Sequence, residues 1–461
     1  MRLKIQFLPF FALFILLLSC RMVENPDILK TTETILPQLT QLKPIENTPV
    51  VTKQITSEPA EVSLVDDTEA TAPEQLLLNN LSISYIKEGD IWNWTQHSSN
   101  KKLTDNGMVH RMSVSPDGQI AAFTKKIDKF HSELWAINID GGNERRLISV
   151  SDFNQIGISV QDSNTAGINP YKFEWVPGSH TLAFNTQQVF KGAGLSLLND
   201  LNLIDVDSLE IKTILPPGQG GEFIFAPDGS RVAVSTPTDI SVVPADGGSR
   251  LNVLTYEQVN TYSEYPYYAK PVWSPDSSFL LAAIPPVDPL AQPRESTSIW
   301  HMPIDGKQAT QIGGVFAAPV ISSEVTFSPD LQYLLFFRET GAPHENLSEL
   351  YITKFDGSEE RAYIKAPLIH FLAWSPDSNR FVYRQGDAWE GKLGGLNQLP
   401  IVFTNNPNAI FDIEWIDENN FLVLRDKAQN FVLTFESLSG DQIMIDSIPV
   451  PPADFGFSLS N

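Results

Sequence analysis

The chain is poor in cysteine and in basic residues. Cys20 is its only cysteine, which excludes an internal disulfide framework and a Cys/His zinc site. Lys and Arg number 32 against 55 Asp and Glu, a net charge of −23. That balance speaks against nucleic acid, because phosphate must be met by a basic surface. It also disfavours electrostatic adhesion to anionic lipid. No apolar run is long enough to span a bilayer. Gly-x-Ser-x-Gly, His-Glu-x-x-His, P-loop and dinucleotide motifs are absent. The 7 histidines are scattered without metal-ligand spacing. Asp205-Val206-Asp207 lacks the rest of a calcium loop. No cofactor and no metal is therefore expected. What the chain does have is 42% hydrophobic residues, ample for a large core.

The amino terminus opens with Arg2 and Lys4. An apolar run from Ile5 to Leu18 follows, interrupted by Gln6 and Pro9. This is the length of a signal-peptide core. It ends in Leu17-Leu18-Ser19-Cys20, which resembles the lipobox of bacterial lipoproteins. The resemblance implies that residues 1–19 are removed and that the thiol of Cys20 carries a diacylglyceryl anchor. The chain is then exported and held on the extracytoplasmic side of the cell membrane by lipid alone.

Residues 20–78 hold the anchor cysteine and a Thr/Pro/Glu-rich stretch, with prolines at 26, 37, 44, 49, 59 and 73. Without apolar periodicity it cannot offset its ordering entropy, and it is expected to be a disordered tether. As a flexible coil its ends would lie on the order of 40 Å apart.

From residue 79 onward a repeat dominates. Ser115-Pro116-Asp117-Gly118, Ala226-Pro227-Asp228-Gly229, Ser274-Pro275-Asp276, Ser328-Pro329-Asp330 and Ser375-Pro376-Asp377 each follow an apolar residue and precede an apolar strand. Trp175-Val176-Pro177-Gly178 and Trp415-Ile416-Asp417-Glu418 fit the same frame. The spacing is that of a four-stranded propeller blade. Proline pre-sets φ for the second turn position, and Ser, Asp and Gly suit the others. About 20 residues later comes a second turn: Asp140-Gly141, Asp246-Gly247, Asp305-Gly306 or Asp356-Gly357. The unit reads strand a, Ser-Pro-Asp turn, strand b, loop, strand c, Asp-Gly turn, strand d.

This repeat resembles the WD-like propeller repeat of the TolB periplasmic protein and of prolyl-oligopeptidase relatives, without their hydrolase domain. The expected fold is all-β: residues 79–461 as a β-propeller of four-stranded antiparallel blades. Seven units begin with strand a. An eighth, at Ile83–Tyr85, Asp90–Trp94 and Lys101–Thr104, lacks it. The tail Phe455–Leu459 is the candidate to supply it, giving eight blades. A free tail gives seven.

In such a blade the a–b and c–d turns share one face. The long segments fall on the other: b–c loops at 125–132, 186–200, 285–297, 339–348 and 385–397, and d–a loops at 149–172 and 256–271. Variable loops gathered on one face mark a binding face. The richest stretch holds Tyr262, Glu264, Tyr265, Tyr267, Tyr268 and Lys270, and tyrosines give rigid amphipathic contact area. Further rim candidates are Lys172, Arg294, Glu295, Arg338, Glu339, His344 and Trp389. With no linear catalytic motif, the sequence favours a monomeric binding propeller whose partner is a protein, peptide or glycan. The alternatives are a propeller enzyme of lyase or glycosidase type, its site assembled from several blades at the channel mouth, and a structural part of an envelope assembly.

Overall fold

The computed structural model describes residues 79–156, 164–192, 194, 200–318, 325–339, 347–403, 409–427, 430–449 and 454–459. Cys20, the leader and the tether lie outside the described residues. Among the described residues there are 32 strands and one short helix, α1 (Val150–Ile156). No helix among them is long and apolar enough to cross a membrane.

The strands form eight four-stranded antiparallel sheets arranged in a ring. Strand a begins at Val109, Thr165, Glu222, Val272, Thr326, His370 and Ala409 in blades 2 to 8. Blade 1 is composite. Its strands β1 (Leu81–Lys87), β2 (Asp90–Thr95) and β3 (Ser98–Lys102) come from the start of the domain, and β32 (Phe455–Leu459) from the end. β32 pairs with β1, Phe457 opposite Ile83. The tail thus closes the ring, and the count is eight.

Closure has a simple cause. A blade face is apolar on both sides and must be covered on both. Eight separate buried clusters do this, one in each seam between neighbouring blades. The seam between blades 8 and 1 joins Leu422, Leu433 and Phe435 to Leu81, Ile83 and Tyr85, all at most 1% exposed.

The Ser-Pro-Asp turns build the smooth face. In the first, Ser115 Oγ donates to Asp117 Oδ1 at 2.6 Å and accepts from Ile120 N–H at 3.0 Å. Gly118 N–H returns to the Ser115 carbonyl at 2.8 Å. The residue after the aspartate sits in the left-handed region: Gly118 at φ 72°, Gly229 at 69°, Ser277 at 60°, Ser378 at 63°. Glycine takes that conformation without strain. The two serines are retained for another reason. Ser277 Oγ accepts from Asp228 N–H at 3.2 Å, and Ser378 Oγ from Asp330 N–H at 2.9 Å. Each clips its turn to the preceding blade.

Three expected loops are shorter than read. Strand b of blade 3, β9 (Thr181–Phe190), takes up 186–190 of the expected 186–200. Within 149–172, α1 is followed by an 11-residue strand, β8 (Thr165–Trp175). Within 385–397 lies strand c of blade 7, β26 (Glu390–Gly395), so the b–c connection is only 386–389. Its Gly391, Gly394 and Gly395 look like loop residues. Close neighbours demand two of them: a Cβ on Gly391 would stand 2.2 Å from the Ile410 side chain of the next blade, and one on Gly394 2.4 Å from the ring of Phe381, its partner on strand b.

Candidate functional site

Antiparallel strands alternate direction, so every b–c and d–a connection emerges on the face opposite the tight turns. Among the described residues 10 of the 19 exposed large apolar side chains stand on strands, and those in the connections are divided unequally between the two faces. Met108, Ile127, Tyr262, Tyr265, Val287, Leu290, Phe316 and Leu368 stand in b–c or d–a connections. Leu209 alone of the exposed set stands in a tight turn.

Five of these belong to three loops that interlock around blades 4 to 6. The loop 256–271 meets the loop 285–296 through Tyr262 Oη, which donates to Asp288 Oδ1 at 2.5 Å, and through Asn260 N–H to the Val287 carbonyl at 2.8 Å. Donation from Tyr262 holds the Asp288 carboxyl below its ordinary range. Arg294 then reaches the Ala317 carbonyl, tying in the third loop. On this base Tyr262 is 53% exposed, Tyr265 61%, Val287 46%, Leu290 52% and Phe316 49%.

The residues expected from sequence take different places. Tyr262 and Tyr265 are exposed. Tyr267 turns inward, half-buried against the core between blades 4 and 5, with its hydroxyl on the Ala283 carbonyl at 3.1 Å and its ring edge-on to Tyr256. Burial raises its pKa. Glu264 and Lys270 are exposed, and Tyr268 is half-buried. Arg338 lies between Glu360, at 2.8 Å, and the Tyr351 ring, 4.1 Å from its centroid. Trp389 carries the Arg384 guanidinium 3.6 Å over its ring, and His370 6.2 Å away. Glu295 is exposed, and Glu339 ends strand b of blade 6. His344 lies outside the described residues. Sequence reasoning missed Val287, Leu290 and Phe316. The signal was present in Pro285-Pro286-Val287-Asp288-Pro289-Leu290, where prolines forbid a strand and leave the aliphatic residues on a loop.

A second group lies on the innermost strands. Side chains at strand a reach onto the next blade: Arg111 to the Tyr171 carbonyl, Lys172 to the Phe223 carbonyl, and Asp454 Oδ2 to Met112 N–H at 2.8 Å. Asp412 and Glu414 lie on strand a of blade 8, β28 (Ala409–Trp415). Burial raises the pKa of Asp412 and Asp454. Asp412 is reached by solvent, but the surrounding walls displace enough water to disfavour its ionised form. Burial, then the charge of Asp412, pushes Glu414 up to about 7. Among the described residues, no group of three or more His, Cys, Asp or Glu is placed to hold a metal ion.

No protein-family model matches the sequence, and no curated protein matches it. Many solved structures do match. One described as the crystal structure of the eukaryotic initiation factor aligns with a TM-score of 0.50 at 11% identity, over 82% of this chain and 98% of that one. One of two prolyl endopeptidases aligns at 0.49 and 13% identity, over 75% of this chain, which spans 50% of that enzyme's length. The propeller domain of the Trilobed protease from Pyrococcus furiosus aligns at 0.45 and 12% identity, over 75% of this chain and all of that domain. At these identities the likeness is one of fold, and the fold is the β-propeller.

Proposed function

We propose that this protein is an exported, Cys20-anchored propeller that binds a protein, peptide or glycan through its loop face. The observation that carries the reading is that, of the exposed large apolar side chains standing in connections among the described residues, eight lie in b–c or d–a connections and one in a tight turn. A patch of Tyr262, Tyr265, Val287, Leu290 and Phe316 on loops fixed to one another is preorganised, so little ordering entropy is lost on binding. Its tyrosine and aliphatic make-up suits a protein or peptide surface. The −23 charge keeps the remaining surface soluble.

The test is affinity purification of the full-length chain from its own membranes, beside Tyr265→Glu and Phe316→Glu variants of equal melting temperature. A specific partner lost with both substitutions supports the reading. A partner list unchanged by either contradicts it. A Cys20→Ser variant that still takes up labelled lipid contradicts the anchor.

One observation favours a second reading. Glu414, poised near neutrality beside Asp412, has the pKa of a general acid–base group. A channel enzyme of lyase or glycosidase type would use it. Turnover of any oligosaccharide abolished by Glu414→Gln would favour that reading.

A further inference from the structure

Strand c follows a rule in several blades. Five residues before the Asp-Gly turn stands an aromatic: Trp135, Trp300 or Tyr351. Each packs into the seam with the preceding blade. Each also donates its polar hydrogen two residues back: Trp135 Nε1 to Glu133 at 3.0 Å, Trp300 Nε1 to Ser298 at 2.9 Å, and Tyr351 Oη to Glu349 at 2.9 Å. Blade 4 breaks the rule. Five residues before Asp246 stands Ser241, on β14 (Asp239–Pro244). Its hydroxyl donates to Asp239 Oδ1 at 2.7 Å, the role the aromatic's polar tip has elsewhere. No ring stands here, and Ser241 itself is 1% exposed. The facing connection of the preceding blade is Pro216-Pro217-Gly218-Gln219-Gly220-Gly221, which brings no aromatic. A groove of about 470 Å³ opens at this seam.

Its walls are polar throughout. Beside the glycines they comprise Gln219, Thr236, Asp239, Ser241, Arg250 and Asn252, with no aromatic or aliphatic side chain. Asp239 is fully engaged: Thr236 Oγ1 donates at 2.5 Å, Ser241 Oγ at 2.7 Å and Arg250 at 3.1 Å. Arg250 also donates to the Gln219 carbonyl at 2.6 Å, fixing the glycine-rich connection to blade 4. The ion pair is internally neutral. The Gln219 and Asn252 amides each offer a donor and an acceptor.

This lining selects its ligand class. An apolar side chain would desolvate hydroxyls and amides without replacing their hydrogen bonds. An anion would find the arginine already paired, on a chain of charge −23. A neutral molecule dense in hydroxyls matches both the volume and the mixed donors and acceptors. We propose that the blade 3–4 groove is a binding site for a neutral saccharide of one or two rings. It runs from the connection at 218–220 along strands c and d of blade 4 and shares no residue with the tyrosine patch, so groove and patch can fail separately.

The experiment uses the full-length chain with maltose, cellobiose and N,N′-diacetylchitobiose, read by saturation-transfer NMR and titration calorimetry. At least one should bind. Asn252→Ala, at an exposed position, should weaken it roughly 2- to 10-fold, as expected for one lost hydrogen bond. Ser241→Trp, which restores the aromatic found in blades 2 and 5, should abolish binding. Tyr265→Glu should leave it intact. The proposal is overturned if none of the three binds at up to ~10 mM. It is equally overturned if binding survives Asn252→Ala and Ser241→Trp unchanged, or if a tyrosine-containing peptide displaces the sugar's NMR signal while Asn252→Ala has no effect.

Discussion

Tyr262 donates its phenolic hydrogen to Asp288 at 2.5 Å, and this bond joins loops of two successive blades into one surface. Its removal should loosen the surface without unfolding the protein. In Tyr262→Phe, amide hydrogens of 256–271 and 285–296 should exchange faster while the melting temperature stays unchanged. Unaltered exchange would show that backbone contacts such as Asn260 to Val287 suffice.

The residue after each turn aspartate separates two ways of closing a seam. At Gly118 an added Cβ would lie 2.1 Å from Ser458 Cβ, in a backbone conformation that already disfavours a side chain. Gly118→Ala should cost roughly 2–4 kcal/mol. Ser378→Ala keeps its φ but leaves Asp330 N–H without its 2.9 Å acceptor, and should cost about 1–2 kcal/mol. Urea denaturation of the two variants checks the order.

Ring closure depends on a strand that the chain supplies last. Deleting 455–461 removes the half-buried Phe455 and Phe457 from the seam and uncovers the edge of β1. Burial of two aromatics contributes about 3 kcal/mol. The truncated chain should melt earlier, and the amides of β1 should exchange faster than those of blade 5.

Two groups make stability fall as pH rises, each in its own window. His180 bridges the Asp117 and Asp207 carboxylates at 2.9 and 2.8 Å, and those bonds raise its pKa, Asp117 first. Its contribution is full below the unfolded value near 6.5 and fades as pH rises through the raised folded value. The difference between wild type and His180→Gln should therefore shrink from pH 5.5 to 8.5. It should stay below about 1 kcal/mol, since the cluster is partly exposed.

Glu414 has the same sign but a lower window. Its folded pKa of about 7 lies above the unfolded one, so ionisation costs stability progressively between about pH 4.5 and 7. Glu414→Gln should stabilise the protein by up to about 3 kcal/mol above pH 7, and by nothing below pH 4.5. A constant difference across that range would show that Glu414 is ionised throughout.

Much of the fold was legible in the sequence because turn chemistry is local. Proline at 116 fixes φ and glycine at 118 admits the left-handed position whatever surrounds them, so blade spacing could be read directly, whereas closure by Phe455–Leu459 left eight blades and seven both open. The site was less legible because its determinants are not local. Tyr267 and Tyr265 differ in sequence by two positions but in burial by the packing of a distant core. Gly391 and Gly394 read as loop until Ile410 and Phe381 are placed beside them. Asp454 comes within reach of the charge of Asp412 only when the ring closes.

The most direct measurement is cross-linking of the full-length chain to its partner in native membranes, followed by mapping of the linked residues. The account expects links in 256–271, 285–296 and 316–318. Links confined to the Ser-Pro-Asp face, or to strands lining the channel at Asp412 and Glu414, would contradict it.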